Sequence, residues 1–180
     1  LRTGRVLTDV NEALAALEQL NSEEKEQRTQ IIRAANSRDI ESYNSKNPNK
    51  PMKRLIVVID EYADLVQAAE LQGKEVRKNF ETHLCMLAQR VRNLGIHLVI
   101  ATQQPRATIV TSSLKAVLPY RASFRLPSHV DSQTILDRAG AEDLLGKGDM
   151  LLMTDSDLIR MQSFFISEEQ LIEFIESKHF

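Results

Sequence analysis

Residues 55–59 form an unbroken apolar run, LIVVI, and the acidic pair Asp60 and Glu61 follows it directly. Consecutive leucine and β-branched residues of this length are typical of a strand buried on both faces of a parallel sheet. The packing of such a strand does not require carboxylates at its end. Because open α/β sheets bind ligands at the carboxyl ends of their strands, Asp60 and Glu61 are candidate site residues. The alternative is an ordinary strand that runs into an acidic helix cap.

A second apolar run, IHLVIA at 96–101, follows a helical pattern over about 74–92 and a helix stop at Gly95. This strand–helix–strand order predicts a right-handed parallel crossover, in which both strands end at the same edge of the sheet. Thr102 and Gln103 come directly after the second strand. At that edge they could hydrogen-bond a phosphate or a catalytic water, although a strand that simply enters a turn would show the same residues.

The rest of the chain predicts further helices and strands. The amino-terminal part predicts a helical lead-in at 1–44 and a polar linker at 45–51, with helices at 9–20, 22–35 (capped by Ser22) and 37–43. Residues 52–180 predict, besides the two strands, a strand at 120–126, a hairpin of 148–153 with 158–165, and helices at 112–117, 131–137, 140–145 and from Ser167 onward. We therefore predict a single α/β domain over 1–180, with a mainly parallel sheet flanked by helices and a C-terminal hairpin.

Composition argues against several classes of function. The formal net charge of −2 gives no overall support for nucleic-acid binding, so any such surface must be local. Cys85 is the only cysteine, which excludes an intrachain disulfide and favours a reducing, cytoplasmic setting. No apolar run approaches the roughly 18 residues of a membrane span, so we expect no membrane contact from this segment. The four histidines show no metal-ligand spacing.

Two sets of basic residues are candidates for contacts with phosphate groups. Arg90 and Arg92 lie at the predicted end of the long helix, where arginine interacts favourably with the helix dipole. The sharper interpretation is an arginine finger that reaches into a neighbouring subunit's nucleotide site, as in ring ATPases. The second set lies at helix ends and in loops and comprises Arg106, Lys115, Arg121, Arg125 and Arg138. An ordinary solvated surface would carry similar residues, and intervening acidic residues weaken the signal.

Four blocks of sequence together resemble one known family. They are LIVVIDEYADL at 55–65, RNLGIHLVIATQQP at 92–105, SQTILDRAGAEDLLGKGDM at 132–150 and, more weakly, residues 6–44, which begin with VLTDVNEAL and end with IESYN. In content and order they resemble the motor domain of the FtsK/SpoIIIE family of bacterial DNA translocases, which are RecA-like P-loop ATPases. The resemblance implies a motor that uses ATP and Mg²⁺ to move along double-stranded DNA as a hexameric ring.

The resemblance also implies roles for individual residues. Asp60 would bind the Mg²⁺ of the nucleotide, and Glu61 would polarise the attacking water. Gln103 would be the sensor, with the Thr102 hydroxyl at the same strand end as a candidate nucleotide contact. Arg92, three residues before the glycine of the second block, would be the finger that acts on a neighbouring subunit.

The likeness to the family is weaker in the expected DNA contacts. Lys115 falls where the family places a pore residue that touches the DNA backbone. Three positions at which the family often has a basic side chain carry other residues, namely Gln104, His129 and Gln133. Arg106 or Arg125 could compensate for them. There is also an apparent insertion near 68–74.

No segment of the chain matches GxxxxGK[ST], the loop that holds the β- and γ-phosphates. Since the chain also begins with Leu1, we expect it to be the carboxyl-terminal part of a RecA-like core from a longer protein, inactive as an ATPase by itself. We expect an exposed apolar edge of the sheet and, as a consequence, a tendency to self-associate. Two other functions stay open: a protein-secretion or assembly ATPase of the same superfamily, and a non-catalytic interaction module.

Overall fold

The structure is a computed structural model that describes residues 6–155 and 157–177, except for the side chain of Arg90. The chain divides between Leu118 and Pro119 into two compact units, which we call the first unit and the second unit. Each unit has its own sheet and its own cluster of buried apolar side chains. The single domain predicted over 1–180 stays a prediction.

The described residues of the first unit form six α-helices and two strands. The helices are α1 (Val10–Gln19), α2 (Lys25–Ala34), α3 (Ile40–Lys46), α4 (Tyr62–Gln72), α5 (Lys74–Arg90) and α6 (Ser112–Val117), and the strands are β1 (Leu55–Ile59) and β2 (Ile96–Ile100). A π-helical turn, Leu20–Glu24, joins α1 to α2, and a 3₁₀ turn, Arg92–Leu94, precedes β2.

β1 and β2 pair in parallel over their whole length, from Leu55 opposite Ile96 to Ile59 opposite Ile100. This confirms the predicted parallel pairing, with α4 and α5 in the connection between the strands. The two helices are separate because Gly73, at a φ of 137°, interrupts them.

The core of the first unit lies on one face of this sheet. Its centre comprises Phe80, Leu84 and Leu87 of α5, all almost completely buried, and Tyr62 of α4, whose ring stacks on Phe80 with 6.3 Å between centroids. On the opposite face Ile56, Val58 and Val99 are 62%, 64% and 50% exposed. The sequence predicted strands buried on both faces, and that is wrong for the described chain, because the core cluster covers only one face.

The lead-in helices differ from the prediction at two caps. Ser22 does not begin a new helix, because the chain continues helically through the π-turn and the Ser22 hydroxyl donates to Glu18 O (2.7 Å). α3 begins after Asp39, whose carboxylate accepts from Ser42 N (2.7 Å) in a capping box. The helix therefore starts later than predicted and runs into the expected linker as far as Lys46.

The described residues of the second unit form a three-stranded antiparallel sheet and two helices. In chain order the elements are β3 (Arg121–Ser123), α7 (His129–Leu136), a 3₁₀ turn (Ala141–Asp143), β4 (Asp149–Met153), β5 (Leu158–Gln162) and α8 (Glu168–Ser177). The strand order is β3-β4-β5. The predicted hairpin is confirmed, and so is the cap of α8, in which Ser167 Oγ accepts from Gln170 N (3.2 Å).

Three elements of the second unit are shorter than predicted. β3 ends at Ser123 rather than 126, and Leu126 N donates to Ala141 O (3.1 Å) outside the sheet. The helix predicted at 140–145 is only a 3₁₀ turn, because Gly140 and Gly146 on either side take positive φ angles. β5 ends at Gln162 rather than 165, since its partner strand begins at Asp149.

Candidate functional site

The carboxyl ends of β1 and β2 lie side by side, as the sequence predicted. Ala101 N donates to Ile59 O (2.8 Å), and Tyr62 N donates to Ala101 O (2.9 Å), so the parallel ladder extends one step beyond the strands. This places the acidic pair and the polar residues after β2 at one edge of the sheet, which we call the acidic edge (Asp60, Glu61, Thr102 and Gln103).

Both oxygens of Glu61 are fixed by hydrogen bonds at the acidic edge. Oε1 accepts from the Thr102 hydroxyl (2.6 Å) and from Ala63 N (3.1 Å), and Oε2 accepts from Gln103 N (2.7 Å). The bond to Ala63 also makes Glu61 the cap of α4. The cap foreseen by the alternative interpretation is therefore present, but it accounts for only one of the three hydrogen bonds.

These contacts set the charge of Glu61. Burial raises the pKa of the carboxyl group, but the hydrogen bonds from Thr102, Gln103 and Ala63 outweigh it and hold the pKa below its ordinary value of 4.5. Glu61 is therefore ionised at neutral pH and held in one orientation. Such a carboxylate can accept a hydrogen bond from water, and its low pKa makes it a weak proton acceptor.

Asp60 is exposed, and within residues 6–155 and 157–177 no hydrogen bond or ion pair engages its carboxylate. No three His, Cys, Asp or Glu side chains form a metal cluster in this described part. Mg²⁺ is commonly held by one or two carboxylates together with phosphate and water oxygens. A single free carboxylate at the end of β1 fits that kind of site, and it does not fit a site built from protein ligands alone.

Thr102 holds the Glu61 carboxylate in place at the acidic edge. Its hydroxyl donates to Glu61, and its oxygen accepts from Gln104 N (3.1 Å). The side chain of Gln103 is exposed, while its backbone amide binds Glu61. The sequence placed these residues at one edge but did not predict this contact. The only feature of the sequence that could have indicated the contact between Thr102 and Glu61 was a hydroxyl residue directly after the neighbouring parallel strand.

Arg92 lies away from the acidic edge. It is exposed in the 3₁₀ turn before β2, at the amino ends of the strands, whereas the acidic edge lies at their carboxyl ends. The strands are five residues long, and four steps of about 3.3 Å separate the two ends by roughly 13 Å. The sheet thus brings Asp60, Glu61, Thr102 and Gln103 together and leaves Arg92 apart.

The predicted DNA-binding residues have different surroundings. In the first unit Arg106 is exposed and Lys115, in α6, is half-buried. In the second unit Arg125 is exposed, whereas the Arg121 side chain is only 13% exposed and donates to Asp137 Oδ2 (2.6 Å). The Arg121 guanidinium therefore stabilises the second unit, and its contact with DNA stays a prediction.

Asp149, at the end of the block at 132–150, is buried and forms an ion pair with the exposed Arg160 that the sequence did not predict. Arg160 donates from Nε to Asp149 Oδ1 (3.0 Å) and from Nη2 to Oδ2 (2.6 Å), and Leu145 N also donates to Oδ2 (2.8 Å). The hydrogen bonds from Arg160 and then Leu145 lower the pKa of Asp149 to about 2. The residue before it is glycine because Gly148 takes a φ of 91°, a conformation that other residues rarely adopt, and a Cβ there would also lie 2.6 Å from Gln162 Nε2.

Comparison with known proteins agrees with this architecture. The sequence model of the FtsK/SpoIIIE family matches residues 1–107, which is 107 of the 180 residues. The chain belongs to the FtsK/SpoIIIE family. The match includes both strands and the acidic edge, so the family resemblance inferred from sequence is confirmed.

Individual relatives show how far the similarity extends. The chain is 46% identical over 136 residues to DNA translocase FtsK of Caldanaerobacter subterraneus, covering 74% of this chain and 18% of that protein. It is 40% identical over 177 residues to DNA translocase FtsK of Treponema pallidum, covering 94% of this chain and 21% of that protein. The chain thus spans about a fifth of the length of these two relatives.

A solved structure supports the fold directly. The pCW3 conjugation coupling protein TcpA, in its monomer form with ATPγS, has a TM-score of 0.82 and 28% identity, covering 97% of this chain and 51% of that one. The predicted RecA-like α/β ATPase fold is confirmed. In the described part of this FtsK/SpoIIIE chain, no helix has the length and apolarity needed to cross a bilayer.

Proposed function

We propose that the chain is part of an ATP-driven motor that moves along double-stranded DNA. The observation that carries this proposal is the acidic edge, where the ionised Glu61 is held by the Thr102 hydroxyl and the Gln103 amide beside the free Asp60 carboxylate. Two relatives named DNA translocase and a similar structure determined with ATPγS support it. The activity and partners proposed here are those of the whole protein.

The residues of the acidic edge have different proposed roles in ATP hydrolysis. Asp60 would hold Mg²⁺, and the ion when bound would supply charge neutralisation there. Glu61 orients the attacking water by accepting its hydrogen bond. Gln103 is the sensor, and it is joined to Glu61 through its own backbone amide. A movement of Gln103 toward a terminal phosphate would therefore be transmitted directly to the Glu61 carboxylate.

The position of Arg92 supports a ring. Because this arginine and the acidic edge lie at opposite ends of the same strands, Arg92 does not serve the site of its own subunit. In a ring of identical subunits, a heterologous interface brings one end of a subunit to the other end of its neighbour. Arg92 is thus proposed as the finger that acts on the adjacent subunit's nucleotide in a hexamer.

The DNA contacts are proposed to be electrostatic and local. Lys115 and Arg106 of the first unit, and Arg125 and Arg121 of the second, are the proposed phosphate contacts. Arg121 is the weakest candidate for a phosphate contact because its guanidinium already pairs with Asp137.

A cytoplasmic setting is proposed for this segment from its single cysteine, Cys85.

Turnover by the full-length protein tests the proposal. Glu61→Gln should lower magnesium-dependent ATP turnover at least about 100-fold, because the water loses its carboxylate partner. In the Asp60→Asn variant, ATP turnover should depend less strongly on Mg²⁺. Glu75→Gln, an exposed acid in the first turn of α5, is the control and should leave turnover unchanged. Unchanged turnover in Glu61→Gln would exclude the proposed site.

One observation favours a protein substrate over DNA. Gln104, which stands where the family often has arginine, is engaged by Gln67 Nε2 (3.2 Å) and is not a charged phosphate contact. The alternative is therefore a protein-secretion or assembly ATPase of the same superfamily. Salt-dependent binding of the full-length protein to duplex DNA separates the two, since phosphate contacts release counterions and peptide contacts do not. A non-catalytic module is disfavoured by the preserved acidic edge.

A further inference from the structure

We infer that Arg28 is a positioning residue that holds the turn carrying Arg92, and so sets where the finger projects into the next subunit. This inference rests on the proposed function, because it assigns Arg28 a role through Arg92. Arg28 belongs to α2 in the lead-in helices and is only 9% exposed, although it carries a charge. A buried guanidinium needs partners, and its partners show what it holds in place.

Arg28 bridges three separate segments of the first unit. Its Nε donates to Glu24 Oε1 (2.6 Å) in the preceding helical turn, and this carboxylate fixes the plane of the guanidinium. Its Nη1 donates to Lys53 O (2.9 Å) just before β1 and to Leu94 O (3.0 Å) in the turn before β2. One side chain thereby links α2 to the amino ends of both strands.

The Leu94 carbonyl belongs to the same 3₁₀ turn as Arg92. That turn is closed by Leu94 N to Val91 O (3.0 Å) and by Gly95 N to Arg92 O (3.0 Å). Val91 is buried and Arg92 is exposed, so the turn is anchored on one side and presents arginine on the other. Arg28 supplies the anchor at the last residue of the turn.

A close contact between Gly95 and Ile40 also restricts the position of this turn. Gly95, the residue after the turn, takes a φ of 72° and lies so close to Ile40 that a Cβ would fall 2.2 Å from the Ile40 Cδ1 atom. The turn is therefore confined by α3 on one side and by Arg28 on another. Loss of Arg28 frees the Leu94 carbonyl without touching the acidic edge, which lies at the other end of the strands.

Loss of Arg28 should therefore impair the catalytic action of Arg92 and leave the KM for ATP little changed. In the full-length protein, Arg92→Ala should reduce kcat about 1,000-fold, as for loss of an arginine finger. Arg28→Ala should reduce kcat about 100-fold, because a displacement of about 1 Å at a reacting group has effects of that size. The KM for ATP should change little in both variants. Arg28→Lys should fall between Arg28→Ala and the unmodified protein, since one ammonium group cannot reach all three acceptors in the same geometry.

Mixed rings distinguish positioning of the finger from general damage. A subunit with Arg28→Ala keeps its acidic edge, and a subunit with Glu61→Gln keeps its finger. Mixing the two impaired proteins in equal amounts should restore turnover at up to about a quarter of the interfaces, where an intact acidic edge meets an intact finger. Mixing Arg28→Ala with Arg92→Ala should restore nothing, because both lack a working finger.

The controls separate failure of this inference from failure of the proposed function. If Arg92→Ala mixed with Glu61→Gln regains turnover but Arg28→Ala mixed with Glu61→Gln does not, Arg28 is only a structural residue and the inference is wrong. If the Arg92 mixture itself regains nothing, the trans-acting finger is wrong and the inference falls with it. If Arg28→Ala does not fold, the same mixtures are made with Arg28→Lys and read in the same way.

Discussion

The hydroxyl of Thr102 helps to fix the direction of the Glu61 carboxylate and to hold its pKa below 4.5, although the two residues are 41 positions apart. Thr102→Val keeps the shape of the side chain and removes the donor. We expect the pKa of Glu61 to rise and the free energy of unfolding to fall by about 1 kcal/mol, the usual scale for a partly exposed hydrogen bond. Carboxyl NMR titration and urea unfolding of the 180-residue chain measure the two effects. Thr102→Ser keeps the donor and should behave like the original protein.

The pH dependence of this effect has a defined sign. Because the folded-state pKa of Glu61 lies below 4.5, the stabilisation from its hydrogen bonds is fully present above about pH 4.5 and is lost as the pH falls through the folded-state value. The stability difference between Thr102→Val and the original chain should therefore shrink on acidification. A difference that grows toward low pH would contradict the assignment.

Asp149 gives a second residue-scale prediction, in the second unit. Its pKa of about 2 means that its ion pair with Arg160 stabilises the fold above the ordinary aspartate value of 3.8 and is lost as the pH falls toward 2. Asp149→Asn should lower the urea midpoint at pH 7 and remove this part of the acid unfolding transition. Asp143→Asn is the matched control, because exposed Asp143 raises the pKa of Arg160 through its charge and not by a hydrogen bond. Equal changes in the unfolding of Asp149→Asn and Asp143→Asn would show that negative charge near Arg160, and not the hydrogen-bonded ion pair, stabilises the fold.

At the scale of elements, the junction between α3 and the turn before β2 depends on one glycine. Gly95→Ala combines a positive φ of 72° with a close approach to Ile40, so we expect a loss of about 2 kcal/mol or more in the free energy of unfolding. Gly73→Ala also requires a positive φ, of 137°, but its Cβ would meet nothing within 4 Å. Urea unfolding of both variants measures the two losses. A loss in Gly95→Ala no larger than the roughly 1 kcal/mol that a left-handed backbone costs by itself would show that the contact with Ile40 is unimportant.

The sequence predicted most elements because their signals are local. The apolar runs, Gly95 and the Ser167 cap specify the strands, the stop and α8 without help from distant residues. Long-range contacts could not be predicted from the sequence, and one of them accompanies the error at Ser22. Ser22 resembles a helix cap, but Asn21 beside it donates to His83 O (2.8 Å) on α5, and the helix continues through this point as a π-turn. The acidic edge was predicted as a group of residues, whereas the bond from Thr102 to Glu61 required the register of the sheet.

At the scale of the whole molecule, the 180-residue chain should not hydrolyse ATP by itself. It contains the carboxylates of the acidic edge but no GxxxxGK[ST] loop to hold the β- and γ-phosphates. Phosphate release by the purified chain with Mg²⁺ and ATP should therefore stay at the level of the Glu61→Ala variant. Magnesium-dependent turnover that this variant abolishes would overturn the prediction.

The exposed face of the first unit's sheet predicts self-association of the same chain. Ile56 and Val58 on β1 and Val99 on β2 lie on one face and are each at least half exposed, which creates a contiguous apolar strip beside polar strand edges. Sedimentation velocity should show average mass rising with concentration. Replacing Ile56 and Val58 by Thr keeps β-branching but adds hydroxyls, so it should reduce that rise without unfolding the strand.

Leu71→Thr provides the comparison for this double variant, because Leu71 on α4 is 90% exposed but stands outside the sheet. If single exposed apolar residues drive association, all the variants should reduce it in proportion to the area removed. If the strip on the sheet drives it, only the β1 variant should act, because strand faces pack on one another and an isolated leucine does not. A monodisperse monomer at high concentration would show that the exposed face is tolerated in water.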